Sequence, residues 1–318
     1  MGIFRCKEVI MAQSKYLRLP QYEVGKYPKN QLEKIQMLFS QAFGGRTESL
    51  EMLQWQMEKN PCLQERATAL WQGNTLVAYN ALTPHPTFLH GKEVISAVSG
   101  TTMADEHFPG ASLQLFTECA KQNQDIAIII GFPNHNSYSI TVKYLGHHYV
   151  GDVAFWTTEA KPIKTADKIR EFFEFTDEYQ EISRKLSKTH DFIKTREKNF
   201  LNWRFFQKPE FEYKGYEYQK RGYIVVDTYT ENNIKQLQIV DVIADSEEVM
   251  EELLKYAINL AYDWNCPYVK LWLTSMQYKK LLEKSGFIYG EHPFAMTVWD
   301  QDLDISNSYI TMMDSDIF

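Results

Sequence analysis

The chain is 318 residues long, 44% hydrophobic and 14% aromatic, enough apolar material for two cores of ordinary domain size. Its 34 Lys and Arg against 41 Asp and Glu give a net charge of −7 with no basic stripe, which argues against nucleic acid or an anionic membrane surface as the main partner. The longest apolar runs, such as 126–130, are far too short to span a bilayer and no signal peptide is expected. Four scattered cysteines without metal spacing read as the reduced thiols of a cytoplasmic protein.

The opening Met-Gly-Ile-Phe-Arg-Cys has Cys6 where a myristoylation signal carries Ser or Thr. Helical periodicity first appears at about 29–43, with Leu32, Ile35, Leu38, Phe39, Ala42 and Phe43 on one stripe and Gly44 as a stop. A second helix is expected at about 46–58. Strands follow near 67–72 and 75–82 around a turn at Gly73, then a turn at His90-Gly91-Lys92 and a strand from Val94 to Met103. Next comes a small-residue turn, His107-Phe108-Pro109-Gly110-Ala111-Ser112, opening a helix with Leu113, Leu115, Phe116, Cys119 and Ala120 inward. Residues 126–130 read as a central strand buried on both faces. A helix near 135–145 and a strand near 148–157 close the unit.

The chain then repeats itself. Leu53-x-Trp55-x-Met57-x-x-x-Pro61 returns as Leu201-x-Trp203-x-Phe205-x-x-x-Pro209, and the hairpin at Gly73 returns at Gly222. Leu145-Gly146-His147 is echoed by Ser285-Gly286-Phe287. Near-constant offsets across three landmarks indicate two copies of one domain. The expected division is 1–157 for the first copy, 158–195 for a charged helical bridge and 196–318 for the second. The second copy is expected to carry strands near 214–220, 223–229 and 235–243, a helix at 246–264, a buried strand at 267–273, a helix at 277–285 and a last pair of strands to about 300. From Gln301 onward the acidic tail lacks periodicity and reads as loosely packed.

A strand that feeds a small-residue turn and opens a helix gathers unpaired backbone N–H groups at the positive end of the helix dipole, a place suited to phosphate or pyrophosphate. In element order and in this loop the sequence resembles the GNAT acyltransferases, whose signature is Gln/Arg-x-x-Gly-x-Gly/Ala. His107 stands at the Gln/Arg position, Gly110 at the Gly and Ser112 at the final small residue. Gly131-Phe132-Pro133-Asn134-x-x-Ser137 is similar to that family's helix with a cofactor-facing Asn. The layout is similar to two-copy bacterial members in which one copy keeps the cofactor site.

The resemblance implies an α/β fold of two tandem GNAT-like domains with mixed sheets, and acetyl-CoA as co-substrate of an N-acyltransferase. It implies that acetyl-CoA lies between the 94–103 and 126–130 strands, with its pyrophosphate on His107, Phe108, Pro109, Gly110, Ala111 and Ser112. The backbone of Thr102, Met103 and Ala104 would hold the pantetheine arm, and Asn134 or Asn136 would face the cofactor. The family's Tyr, four residues before the Gly of the last helix, is Val142 here, so Tyr138 is the expected general acid. Asp105, Glu106 or water would serve as base, Glu106 being the one carried forward. The implied acceptor is a small amine, for instance an amino sugar.

The second copy has Ala244-Asp245-Ser246-Glu247-Glu248 where its loop should be, without glycine and with carboxylates that would repel a pyrophosphate. It reads as degenerate, and Trp55 and Trp203, which recur in both copies, as folding residues. His85, His90, His107, His135, His147 and His148 match no zinc spacing and read as solvated, so no metal is expected; Cys6, Cys62, Cys119 and Cys266 read as reduced thiols. Two other readings stay open: a non-catalytic acyl-CoA-binding or interaction scaffold of the same fold, and a two-copy aminoacyl transferase, which the acidic balance disfavours.

Overall fold

The computed structural model describes residues 20–25, 31–61, 66–133, 138–139, 141–142, 147–153, 155–290, 295–299 and 302–315. Its elements run β1 (Glu23–Gly25), α1 (Leu32–Ala42), α2 (Leu50–Glu58), β2 (Arg66–Gln72), β3 (Thr75–Leu89), β4 (Lys92–Ala104), α3 (Ala111–Gln122), β5 (Ile128–Gly131), β6 (His147–Asp152) and β7 (Phe155–Glu159). They continue with β8 (Ile169–Phe172), α4 (Glu178–Leu186), β9 (Phe192–Lys194), α5 (Lys198–Leu201) running on as a π-helical turn (Asn202–Phe206), β10 (Lys214–Tyr218), β11 (Gly222–Glu231) and β12 (Ile234–Ala244). The last are α6 (Glu247–Asp263), β13 (Tyr268–Trp272), α7 (Lys279–Lys284), β14 (Ile288–Gly290), β15 (Ala295–Trp299) and β16 (Ser308–Tyr309).

Two compact units share these elements. Among the described residues the first unit's sheet runs β1-β2-β3-β4-β5-β15-β6. The second unit's runs β8-β10-β11-β12-β13-β7-β14. Position by position the two orders match, with one exchange. The strand between β5 and β6 is β15, which comes after the second copy in sequence, and the strand between β13 and β14 is β7, which comes after the first. Thr297, Val298 and Trp299 lie antiparallel to Gly131, Ile130 and Ile129, and Phe155 through Glu159 lie antiparallel to Trp272 through Tyr268.

The exchange changes the expected division. Residues 151–294 and 303–318 belong with 86–94 in the second unit, and 295–302 belong with the first. The segment 158–195 is no helical bridge, because it supplies the second copy's own opening elements. β8 pairs antiparallel with β10 as β1 pairs with β2, and α4 precedes α5 as α1 precedes α2. Helix α4 is polar outside but buries Ile182 and sets Tyr179 into an aromatic cluster with Phe172, Phe175 and Tyr223, so its charged residues are simply its wet face.

The acidic tail is not loose. Leu303, Tyr309, Ile310, Met312 and Met313 are all buried in the second unit, and β16 pairs parallel with β9. It lacks periodicity because it advances in short pieces, each with its own cap: Asp304 accepts from the Ser306 amide at 2.9 Å, and Thr311 with Asp314 forms a capping box. The second hairpin also turns one step earlier than expected. Gln219 and Lys220 take the left-handed conformation at φ 49° and 60°, and Gly222 sits in β11 where a Cβ would lie 2.7 Å from the Ile243 carbonyl oxygen.

In the first unit the sheet buries two faces. Ile35, Leu38, Leu53, Met57, Tyr79 and Met103 form the core under α1 and α2. Tyr22, Leu70, Val77, Ala78, Ala111 and Leu115 form the core under α3. Trp55 and Trp203 are both buried, in keeping with a folding role in each copy.

Candidate functional site

Strands β4 and β5 are parallel, but they pair only from Ser96–Ile128 to Val98–Ile130. Beyond that level β4 continues to Ala104, while β5 keeps its pairing with β15 up to Gly131. The sheet therefore opens between β4 and β5. The side chains that edge the opening from β4 are already committed. Asn80 donates to the Thr102 hydroxyl at 2.6 Å, Thr102 donates to the Gly100 carbonyl at 3.0 Å, and Met103 is in the core. Burial pushes the Cys119 thiol up to about 11, so it stays protonated and donates to Asn80 Oδ1 at 3.1 Å. What Thr102, Met103 and Ala104 offer a ligand is backbone.

The 105–110 loop follows directly. A bulge in the β2–β3 pairing, where Leu70 faces Ala78 and Trp71 faces Leu76, leaves Val77 as the extra residue, and its carbonyl accepts the Asp105 amide at 2.9 Å. Phe108 then donates to the Asp105 carbonyl at 3.1 Å and Ala111 to the Phe108 carbonyl at 3.2 Å. Gly110 adopts φ 83°, ψ −6°, the left-handed conformation that turns the chain into α3, and supplies no side-chain cap. The Gln114 amide closes the first helical bond at 3.0 Å on the Gly110 carbonyl, which leaves the first-turn amides of Ser112 and Leu113 without intrahelical acceptors at the positive end of a 12-residue helix.

Two braces hold this loop. Tyr22 donates its hydroxyl to the Pro109 carbonyl at 3.0 Å, and its backbone is bracketed by the Gln114 side chain at 3.0 and 2.8 Å. Asp105 accepts from the His107 amide at 2.9 Å and meets the His107 ring at 2.7 Å. Burial opposes the Asp105 charge, but both His107 contacts win and hold the carboxylate below its usual range. The same hydrogen bond, and then the attraction of Asp105 and Glu106, raises the exposed His107 imidazole above its ordinary value. The loop thus carries an imidazole whose protonated form is favoured, next to a helix start whose Ser112 and Leu113 amides have no intrahelical acceptor, a combination suited to an anion.

The corresponding turn of the second copy is closed. Ser246 caps α6, accepting from the Val249 amide at 3.4 Å, and Glu247 and Glu248 occupy the first turn. Arg221 is spent on Asp245 at 3.0 Å. The opening between β12 and β13 exists here too, since their pairing stops at Ile239–Leu271. The tail fills it. Tyr309 donates to the Val242 carbonyl at 2.8 Å, the Thr274 amide donates to the Ile310 carbonyl at 3.2 Å, and Thr311 donates to Asp241 at 2.8 Å.

Comparison with known proteins places this architecture. No family model matches the sequence, and no curated protein matches it either. Solved structures do. A GCN5-related N-acetyltransferase from Kribbella flavida superposes with a TM-score of 0.64 at 13% identity, covering 87% of this chain and 70% of that one. A second, from Anabaena variabilis, gives 0.65 at 12%, covering 87% and 72%. N-myristoyltransferase from Saccharomyces cerevisiae, solved with myristoyl-CoA, gives 0.59 at 13%, covering 95% and 88%. The chain carries the GNAT fold twice. At these identities the likeness is one of fold, and the sequence-level resemblance to GNAT acyltransferases stands on the same topology.

Of the expected site residues, the structure brings Thr102, Met103, Ala104, Glu106, His107, Phe108, Pro109, Gly110, Ala111 and Ser112 together as one continuous rim. Glu106 is exposed on the turn, and Phe108 packs edge-on to Tyr22 with ring centroids 6.1 Å apart. Tyr138 is half-buried in the helical residues after β5, edge-on to Tyr149 at 6.0 Å, and no hydrogen bond among the described residues ties it to the loop. Val142, at the family's Tyr position, is half-buried as well; Asn134, Asn136 and Gly146 lie outside the described residues.

Sequence reasoning missed the Val77 bulge and the Tyr22–Gln114 clamp, whose partners are 92 residues apart and carry no local signal. It also misplaced two histidines. His85 is buried, and His147 is half-buried with Nδ1 3.2 Å from the Thr297 hydroxyl; burial, with His148 adding, pushes that imidazole down to about 4.

Proposed function

We propose that the chain is an acyl-CoA-dependent N-acyltransferase with its single acyl-CoA site in the first copy and a small amine, such as an amino sugar, as acceptor. The observation that carries this reading is the contrast between the copies: one α-helix N-terminus has no side-chain cap and follows His107, whose pKa is raised, while the other is capped, acidic and next to a filled cleft.

Bound acyl-CoA would supply a thioester open to direct attack by an amine. The Ser112 and Leu113 amides and His107 would take the pyrophosphate, and the backbone of Thr102–Ala104 would align the acyl arm in the β4–β5 opening. A backbone N–H near Met103 would meet the developing negative oxygen. Holding both reactants in line provides most of the rate advantage. Glu106 is the base for the acceptor ammonium, because Asp105 is committed to His107. Tyr138 is the acid for the departing thiolate, whose conjugate thiol pKa of about 8.5 makes it a fair leaving group even unassisted.

Release of free CoA from acetyl-CoA, followed with a thiol reagent across a panel of amino sugars and small primary amines, tests the proposal. Amine-dependent release supports it. Acetyl-CoA binding without release for any amine would replace it with a non-catalytic acyl-CoA-binding protein.

A further inference from the structure

We propose that a groove on the second copy binds a free basic α-amino acid, with its carboxylate toward Lys214 and Lys235 and its two cationic groups toward Glu210, Glu212, Asp227 and the Trp264 face. This goes beyond the acyltransferase reading and does not depend on it. The groove, of about 510 Å³, lies where β10, β11 and β12 meet the C-terminal end of α6, and is lined by those residues with Val226 and Thr228.

Three carboxylates and two ammonium groups thus face one space. None of the five forms an ion pair among the described residues, although surface charges elsewhere on this chain pair freely, as Lys270 does with Glu231 at 3.0 Å and Lys284 with Glu251 at 2.7 Å. Opposite charges kept apart around a common volume are matched by a ligand that carries both signs. The lining sums to one negative charge, and a basic amino acid, with two cations and one carboxylate, carries the complementary net positive charge.

Lys214 Nζ sits 5.2 Å from the centroid of the Trp264 ring, so the indole is within reach of a cation. Once Lys214 turns to the ligand carboxylate, that face is left to a guanidinium, which stacks on it better than an ammonium. The end of a 17-residue helix adds partial negative charge on the same side. Asp227 is anchored by the Thr228 amide on its Oδ1 at 2.7 Å, and burial raises its pKa against the pull of that amide and of Lys208. A desolvated carboxylate held in place gains most from a second cation.

The test is calorimetric titration of L-arginine into the full chain, with L-lysine and L-glutamate alongside, and into Asp227→Asn and Trp264→Leu proteins whose fold is verified by circular dichroism. Saturable one-to-one binding of L-arginine is expected, with L-glutamate at least tenfold weaker and each variant at least tenfold weaker for L-arginine. Absence of saturation at millimolar L-arginine, equal binding of L-glutamate, or unchanged binding in both variants would overturn the proposal.

Discussion

The Tyr309 hydroxyl donates to the Val242 carbonyl at 2.8 Å, and this bond marks where the two copies diverge. Val242 lies on β12 past its last paired residue with β13, at the level where the equivalent strand of the first copy opens away from β5. In the first copy β4 and β5 part below a helix without a side-chain cap, and no described segment runs between them. The other has threaded its own C-terminal segment into the same place and capped the helix above it. The second copy thereby uses this part of the fold to hold its own chain.

If the tail is part of the second core, removing that one bond has a measurable cost. Tyr309→Phe is expected to lower the unfolding free energy by about 1 kcal/mol, while Tyr229→Phe, at an exposed tyrosine, leaves it unchanged. Urea denaturation midpoints at constant m-value compare the two. Identical midpoints for Tyr309→Phe and wild type would mean a tail that contributes nothing, as its acidic composition alone suggests.

The same region carries a pH signature. Lys194 is buried, 3.6 Å from Asp314, and burial pushes its ammonium down to about 8, with Asp314 opposing and Arg204 and Arg196 assisting. Its folded pKa lies below its unfolded value near 10.5, so between the two the unfolded chain binds more protons and stability rises with pH. Relative to Lys194→Met, wild type should gain about 2 kcal/mol between pH 7.5 and 9.5, read by denaturation at both values. Parallel pH dependence in the two proteins would place the titration elsewhere.

His107 gives the loop a pH dependence of the opposite sense. Its pKa is raised by Asp105, so it is protonated at and somewhat above the ordinary histidine range and loses its charge as pH rises further. Affinity for CoA is expected to fall as pH increases through that raised value, and His107→Gln should bind more weakly with a flat profile over roughly pH 6–8. Titrations at several pH values decide it; an equally steep profile in the variant would remove His107 from the site.

Much of this was legible in the residues because the signals are local. Apolar spacing marks α1, α3 and α6, and the Pro-Gly-Ala-Ser run marks the turn into α3 because glycine alone takes its left-handed conformation without strain. The Leu-x-Trp spacing exposes the repeat because both tryptophans are buried. Other features have no local signature. Nothing in 155–159 distinguishes a strand that closes its own copy from one that completes the other, since both have the same alternation and edge. The tail hides its burial in capped turns without a period, and the Tyr22 clamp on Gln114 joins two polar groups that mean nothing until the strand lies beside the helix. Asp105 reads as a free base in sequence and is a loop brace in space, because its carboxylate points back at the His107 amide two residues on.

Whether the first-copy loop holds a pyrophosphate is decided by calorimetric titration of acetyl-CoA into wild type and Gly110→Glu. Glutamate at that position must enter a left-handed conformation and places a carboxylate beside the Ser112 and Leu113 amides. Saturable one-to-one binding to wild type is expected, lost in the variant, with circular dichroism and thermal unfolding of the variant showing an intact fold. Binding of equal strength to both proteins, or to neither, would contradict a pyrophosphate on that loop.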